Sequence, residues 1–244
     1  MYATTKVTQS FYHALVRMEI PMMFTIARLR NKMNKCHTIE DYVNLSFDFY
    51  CASPLKQGSI RPAHVKEEIT GLLKILERYK LRLILEIGTG GGGTLFLLSR
   101  VATPDATLIS VDLPGGPFGG GYPKWRIPLY TSFTLTTQKL HLIRSDSHKS
   151  TTLHEIEGIL KNRKLDLLLI DGDHSYEGVK MDFEMYTPYV GKGAIVAFHD
   201  IVPGPSGYVG GVPRLWCELR NKYQTVEIVR DRSQGGYGIG VIYI

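Results

Sequence analysis

Five short apolar runs, most of them separated by stretches of helical periodicity, constrain this chain more than any other feature. They are Leu81–Ile87, Ala106–Asp112, Lys139–Arg144, Leu165–Asp171 and Ala194–His199, each rich in Leu, Ile or Val. Helical patterns over Thr94–Val101, Thr151–Asn162 and Ser175–Tyr189 lie between them. Strands apolar on both faces and alternating with helices describe a parallel sheet covered on both sides. A further helix is expected over Val212–Tyr223, followed by strands Thr225–Val229 and Ile239–Ile244. The paired glycines of Asp231–Gly236 join these two as a closing antiparallel hairpin.

Upstream, helices are expected over Thr38–Phe49 and Pro62–Tyr79. Phe11, Leu15, Met18, Met22, Ile26, Leu29 and Met33 recur at steps of three and four, one helical stripe interrupted at Pro21. The organisation expected is a helical extension over 1–60 and one doubly wound α/β domain over 61–244. Of the net charge of +6, the first 35 residues hold +5: Lys6, Arg17, Arg28, Arg30, Lys32 and Lys35 against Glu19. The rest is nearly neutral, which argues against nucleic acid as the partner. A pair of helices packing on the body or on a second copy is favoured over peripheral membrane contact. The apolar run Ile20–Ala27 falls far short of the roughly 20 residues a spanning helix needs. No signal-peptide pattern is seen, and Cys36, Cys51 and Cys217 suit neither a disulfide framework nor a zinc site. A cytoplasmic location is expected.

The chemistry-bearing residues stand where the apolar runs end. The first run closes in LEIGTGGGGT, Leu85–Thr94. A glycine turn between strand and helix lets backbone approach a ligand, with helix-start amides facing it. Gly88, Gly90 and Gly93 fit the dinucleotide spacing G-x-G-x-x-G, whereas Gly88, Gly90 and Gly92 fit G-x-G-x-G. Glu86 is an acid within an apolar strand and needs donors, from a ligand or from the turn's own amides. Asp112 ends the second strand, where a carboxylate can accept both ribose hydroxyls of a nucleoside. Asp146, after the third, suits an adenine edge, or else Asp146 or Ser147 caps the next helix.

The fourth and fifth strands end in Asp171-Gly172-Asp173-His174 and His199-Asp200. If these ends are neighbours, their carboxylates and an imidazole can hold a divalent cation. Oxygen ligands favour magnesium, and a neutral His199 ligand moves the preference toward manganese or iron. His199 is otherwise a packed or supporting histidine, and Asp173 or Ser175 a helix cap. His174 suits proton abstraction from a hydroxyl. The other histidines, His64 and His148 among them, read as surface or packing residues. The stretch Leu113–Tyr130, with five glycines, four prolines and several aromatics, reads as a lid over the cleft.

Together LEIGTGGGG, VDLPGG, LLLIDGDHSYEGVKMDFEMY and GAIVAFHD resemble the class I S-adenosylmethionine-dependent methyltransferases, in the group with cephalosporin-hydroxylase-like proteins and metal-dependent sugar O-methyltransferases. The resemblance runs from about Arg61 to the end. It implies a mostly parallel seven-stranded Rossmann-like sheet with a reversed last strand, and cofactor binding by the Gly88–Gly92 loop, Glu86, Asp112 and Asp146. It implies magnesium at Asp171 and at the His199-Asp200 pair, where similar enzymes carry an acidic or amide pair, and His174 as the base. The expectation is magnesium-assisted O-methylation of a sugar or secondary metabolite by a homo-oligomer joined through its N-terminal helices. Alternatives are an NAD-linked oxidoreductase, a non-catalytic nucleotide-binding partner subunit and, less favoured, RNA methylation.

Overall fold

In the computed structural model, residues 22–50, 59–118 and 120–244 are described. The upstream part of the N-terminal stripe, including Phe11, Leu15 and Met18, lies outside them. The described chain opens in a helix over 22–33 (α1), whose Leu29 is fully buried, with Met22, Ile26 and Met33 packed on the same core. Met23 and Phe24 face outward. Helix α2 (Ile39–Asp48) starts at a capping box: Thr38 Oγ1 accepts from Asp41 N, and the Asp41 carboxylate accepts from Thr38 N. Helix α3 spans Lys66–Leu76.

The strands β1 (Leu83–Ile87), β2 (Thr107–Val111), β3 (Lys139–Ile143), β4 (Leu165–Ile170), β5 (Val190–His199), β6 (Gln224–Ile228) and β7 (Ile239–Tyr243) form one sheet in the order β3-β2-β1-β4-β5-β7-β6. All neighbours pair in parallel except β7, antiparallel to both β5 and β6. The expected fold class, with its reversed last strand, is the observed one. Helices α4 (Gly93–Val101), α6 (Ser150–Leu160), α7 (Tyr176–Tyr186) and α9 (Val212–Leu219) follow the sequence pattern. Alternation along each strand divides the core. Ile84, Leu108, Leu167, Leu169 and Ile195 pack beneath α1 to α4, whereas Leu85, Ile109, Leu168, Ile170 and Val196 face α6, α7 and α9.

Two short helices were not foreseen: α5 (Ile127–Thr131) and α8 (Ser206–Val209). The first changes the reading of the lid. Leu113, Gly116, Pro117, Phe118 and Gly120 line the cleft, but Tyr122, Leu129 and Tyr130 are buried in the main core. Only the first half of that stretch borders the cleft. Burial of the large rings of Tyr122 and Tyr130 outweighs the loop-forming tendency of the surrounding Gly and Pro.

The β6–β7 hairpin is tied to the opposite end of the chain by Glu68 of α3, which is almost wholly buried. Its carboxylate accepts from Arg230 N at 3.0 Å, Gln234 Nε2 at 2.7 Å and Gly238 N at 2.9 Å. Among the described residues, no helix is long and apolar enough to cross a membrane.

Candidate active site

A cavity of about 970 Å³ opens at the carboxyl ends of β1, β2, β4 and β5, with residues just after β3 on its wall. That is where open α/β sheets bind ligands. Its floor is the glycine loop. Gly88, Gly90 and Gly92 have φ of 96°, 46° and 78°, so the left-handed positions follow the G-x-G-x-G spacing. A Cβ at Gly88 would stand 1.9 Å from the Asp171 carbonyl oxygen, which locks the loop to the backbone after β4. Gly93 needs its missing side chain for another reason, since a Cβ there would stand 2.3 Å from the Ile60 carbonyl oxygen. From below, Tyr130 Oη donates to Gly90 O at 2.8 Å and Arg126 Nη2 to Gly91 O at 3.0 Å.

Asp112 reaches this cavity. Its Oδ2 accepts from Gly90 N and its Oδ1 from Gly121 N, both at 2.8 Å. Burial raises its pKa while these amides oppose the rise. Each oxygen keeps a lone pair for a ligand hydroxyl. Asp146 also lines the cavity, and its Oδ1 accepts from His148 N at 2.9 Å. It does not cap α6, whose N-cap is Lys149.

Glu86 is fully buried and is not among the cavity-lining residues. Ser110 Oγ donates to its Oε2 at 2.5 Å, and Oε1 has no hydrogen-bond partner among the described residues. Burial pushes its pKa up to about 8 against the Ser110 bond. A carboxyl whose folded pKa exceeds its unfolded one contributes a stability term that falls as pH rises from 4.5 to about 8. At about 1.4 kcal/mol per tenfold change in proton affinity, the loss is of order a few kcal/mol. Glu86→Gln is expected to flatten this decline in ligand-free protein, raising Tm more at high pH than at pH 5. Parallel melting curves of the two proteins against pH would contradict it.

Asp171, His174, His199 and Asp200 converge at the far wall. His199 Nδ1 is 3.0 Å from Asp171 Oδ1 and 3.6 Å from Asp200 Oδ2. His174 Nε2 is 3.4 Å from Asp171 Oδ1, and its Nδ1 is 3.4 Å from Asp200 Oδ2. The His174 Nδ1–H donates to Tyr208 O at 2.5 Å, since a carbonyl only accepts. The positive φ of Asp200, 61°, accompanies a bond from Tyr237 N to its Oδ1 at 2.9 Å. Burial alone would raise the Asp171 pKa, but His199, His174 and His64 hold it well below the usual carboxylate range. Burial pulls His174 down, and Asp171 and Asp200 more than offset this, leaving it at about 9. A proton held on His174 thus faces both carboxylates.

Asp173 is not the helix cap. Ser175 caps α7 by accepting from Gly178 N, while Asp173 Oδ1 accepts from Ser175 N at 2.8 Å. The shorter serine side chain sits where the first free amides of the helix point.

Two further histidines belong here, although their sequence surroundings read as surface or packing. His64 is buried, with Nε2 3.1 Å from Thr94 Oγ1 and 3.8 Å from Asp171 Oδ2. Its ring centroid lies 3.9 Å from that of His199. Burial, aided by His199, pushes its pKa down to about 3, so it is neutral. His148 lines the cavity, its Nε2 3.1 Å from Oδ1 of the fully buried Asp182. Asp182 had a visible signal: it interrupts the buried α7 face of Val179, Phe183 and Tyr186. His64 had none.

An aromatic rim completes the cavity. Phe118 stacks on His174 with centroids 5.0 Å apart, and Tyr208 and Tyr237 are exposed beside it.

Residues 85–201 match the sequence model of the Methyltransf_24 family, described as a methyltransferase domain. This stretch of the chain is therefore similar to a methyltransferase domain. An uncharacterized protein of Sinorhizobium fredii is 30% identical over 141 residues, covering 57% of this chain and 15% of that protein. An uncharacterized protein of Acanthamoeba polyphaga mimivirus is 50% identical over 127 residues, 48% of this chain and 50% of that one. The chain therefore spans half or less of these curated relatives. An O-methyltransferase from Bacillus cereus, solved in complex with S-adenosylhomocysteine, shares the fold with a TM-score of 0.54. It is 17% identical, with 91% of each chain covered. The matched stretch and the cavity coincide, since the matched residues run from β1 through the end of β5 and supply Gly88, Asp112, Asp171, His174, His199 and Asp200.

Proposed function

We propose that the chain transfers a methyl group from S-adenosylmethionine to a hydroxyl of a sugar or secondary metabolite, assisted by a divalent cation held at Asp171 and Asp200. What supports the reading most is that the glycine loop and the carboxylate–imidazole cluster line one cavity, joined by the close approach of Gly88 to the Asp171 backbone. The donor set also fits a cation, because two carboxylates and two imidazoles converge there with nitrogen–oxygen distances of 3.0–3.6 Å.

In this reading Asp112 accepts the ribose hydroxyls, Asp146 meets the adenine edge, and the amides of the glycine loop and α4 start face the donor's charged tail. When bound, a divalent cation supplies positive charge that favours the deprotonated form of an acceptor hydroxyl and lowers the proton affinity of His174. His174 has Nδ1 fixed on Tyr208 O, so Nε2 is the atom that takes the acceptor proton. The acceptor oxygen forms its bond to the methyl carbon as the carbon–sulfur bond breaks. That electron pair stays on sulfur, giving S-adenosylhomocysteine. Holding oxygen and methyl in line supplies about 7–11 kcal/mol of the barrier reduction. Phe118 and its lid segment keep water from His174.

The NAD-linked alternative is disfavoured by topology. Dinucleotide-binding sheets run 3-2-1-4-5-6 in parallel, whereas here an antiparallel β7 is inserted beside β5.

Calorimetry with S-adenosylhomocysteine and with NADH separates the two, and binding of NADH alone would overturn the methyltransferase reading. His174→Ala is expected to lower turnover about 10²–10⁴-fold while leaving S-adenosylhomocysteine affinity within about twofold. An unchanged rate would return His174 to a purely structural part.

A further inference from the structure

The metal-ligating side chains of the described residues fall into two trios that share Asp171. One is Asp171, His174 and Asp200; the other is His64, Asp171 and His199. The second draws on a residue upstream of the matched methyltransferase domain. His64 precedes α3, and its segment is drawn to the sheet end because Gly93 packs directly on the backbone of Ile60 and Pro62.

Its chemistry differs from that of the first trio. It offers two imidazoles and one carboxylate, with both imidazoles inside the fold: His64 is 5% exposed and His199 4%. His64 Nε2 is 3.8 Å from Asp171 Oδ2, and His199 Nδ1 is 3.0 Å from Asp171 Oδ1. Both spans are shorter than about 4.2 Å, twice a typical metal–imidazole bond, so one ion can bridge each pair. Each imidazole also has a ring nitrogen without a hydrogen-bond partner among the described residues, His64 Nδ1 and His199 Nε2. The nitrogens that face Asp171 carry only contacts an ion can replace, His64 Nε2 to Thr94 Oγ1 at 3.1 Å and His199 Nδ1 to Asp171 itself.

We propose that His64, Asp171 and His199 bind a borderline transition-metal ion of the manganese, iron, cobalt or zinc class, with His64 a ligand that the methyltransferase domain itself does not supply. The inference deepens the cation part of the proposed function and is independent of methyl transfer. Imidazole donors favour the first-row transition metals, whereas magnesium favours oxygen and retains its water. A site with two imidazoles therefore selects against magnesium.

The test uses the full chain stripped with chelator and titrated with Co²⁺, Mn²⁺ or Mg²⁺. Binding is read by equilibrium dialysis, by the visible spectrum of Co²⁺ and by nitrogen hyperfine coupling to Mn²⁺. The wild type is expected to bind Co²⁺ and Mn²⁺ at least about tenfold more tightly than Mg²⁺ and to show imidazole nitrogen coupling. His64→Ala is expected to lower Co²⁺ affinity at least about tenfold and to remove one coupled nitrogen. His64→Gln retains bulk and is measured beside it, so that misfolding of the alanine variant does not decide the result. Equal affinities for Co²⁺ and Mg²⁺, or an unchanged Co²⁺ spectrum in the His64 variants, would overturn the proposal. S-adenosylhomocysteine affinity is followed separately: its absence in wild type would defeat the methyltransferase reading while leaving the metal result standing.

Discussion

If a cation assists methyl transfer as proposed, Asp171→Ala is expected to reduce turnover by on the order of 10³-fold, because several kcal/mol of charge stabilisation at the acceptor would be lost with it. Asp171 is the residue on which both trios meet, and its carboxylate touches His174 and His199 and lies near His64. Removing it also strips His174 of its main charge partner, so the imidazole pKa falls from about 9 toward its ordinary 6.5. A buried charge left unpaired costs about 3–5 kcal/mol, so the alanine variant is also expected to melt earlier. Asp171→Asn keeps the volume and separates packing from charge. The informative measurement is turnover against added Mg²⁺ and Mn²⁺, alongside S-adenosylhomocysteine affinity. Turnover at the wild-type level in both variants would remove Asp171 from the chemistry. Cofactor affinity lost in step with activity would point instead to collapse of the glycine loop.

Gly88→Ala should be nearly as damaging, through the backbone. The added Cβ meets the Asp171 carbonyl oxygen at 1.9 Å, and the φ of 96° is one that side-chain-bearing residues rarely adopt. Neither partner can yield cheaply, because Gly88 N and Asp171 N are themselves bonded to Val111 O and Ile87 O at 2.8 Å. A loss of about 3 kcal/mol or more is expected, lowering Tm by roughly 6–12 °C for a chain of this size. S-adenosylhomocysteine affinity should fall at least about tenfold as the loop amides shift. Gly90→Ala is the internal control: its φ of 46° is also positive, but nothing lies within 4 Å of the added carbon. Equal damage at both positions would mean that conformation alone, not the contact with Asp171, governs the loop.

The central strands β1, β2, β4 and β5 were legible because each carries an apolar run on both faces and stops at a glycine or a polar residue. The acids after β2, β3 and β4, Asp112, Asp146 and Asp171, line the cavity as the pattern implied. Strand β5 was read from Ala194, but it begins at Val190, since Gly191, Lys192 and Gly193 dilute the apolar run while the backbone stays extended. Glu86 was identified as an acid needing partners, yet only coordinates reveal Ser110 as its donor. Half of the glycine–proline stretch was misread because the burial of Tyr122 and Tyr130 is decided by distant residues. His64 was hidden for the same reason: an imidazole in an ordinary loop becomes part of a site only when the fold carries it to Asp171.

The Glu68 clamp bears on where this protein can be cut. Residues 85–201 contain the recognisable motifs, but a fragment limited to them would leave β5 without β7, an open strand edge prone to pairing with other chains. The same fragment would lack Glu68, the carboxylate that holds the hairpin carrying Tyr237 beside Asp200. A piece able to fold with its cleft intact therefore needs the segment before α3 through the last strand, together with α1 and α2, which cover the sheet face beneath them. What a motif delimits and what can stand alone as a folding unit have different borders in this chain.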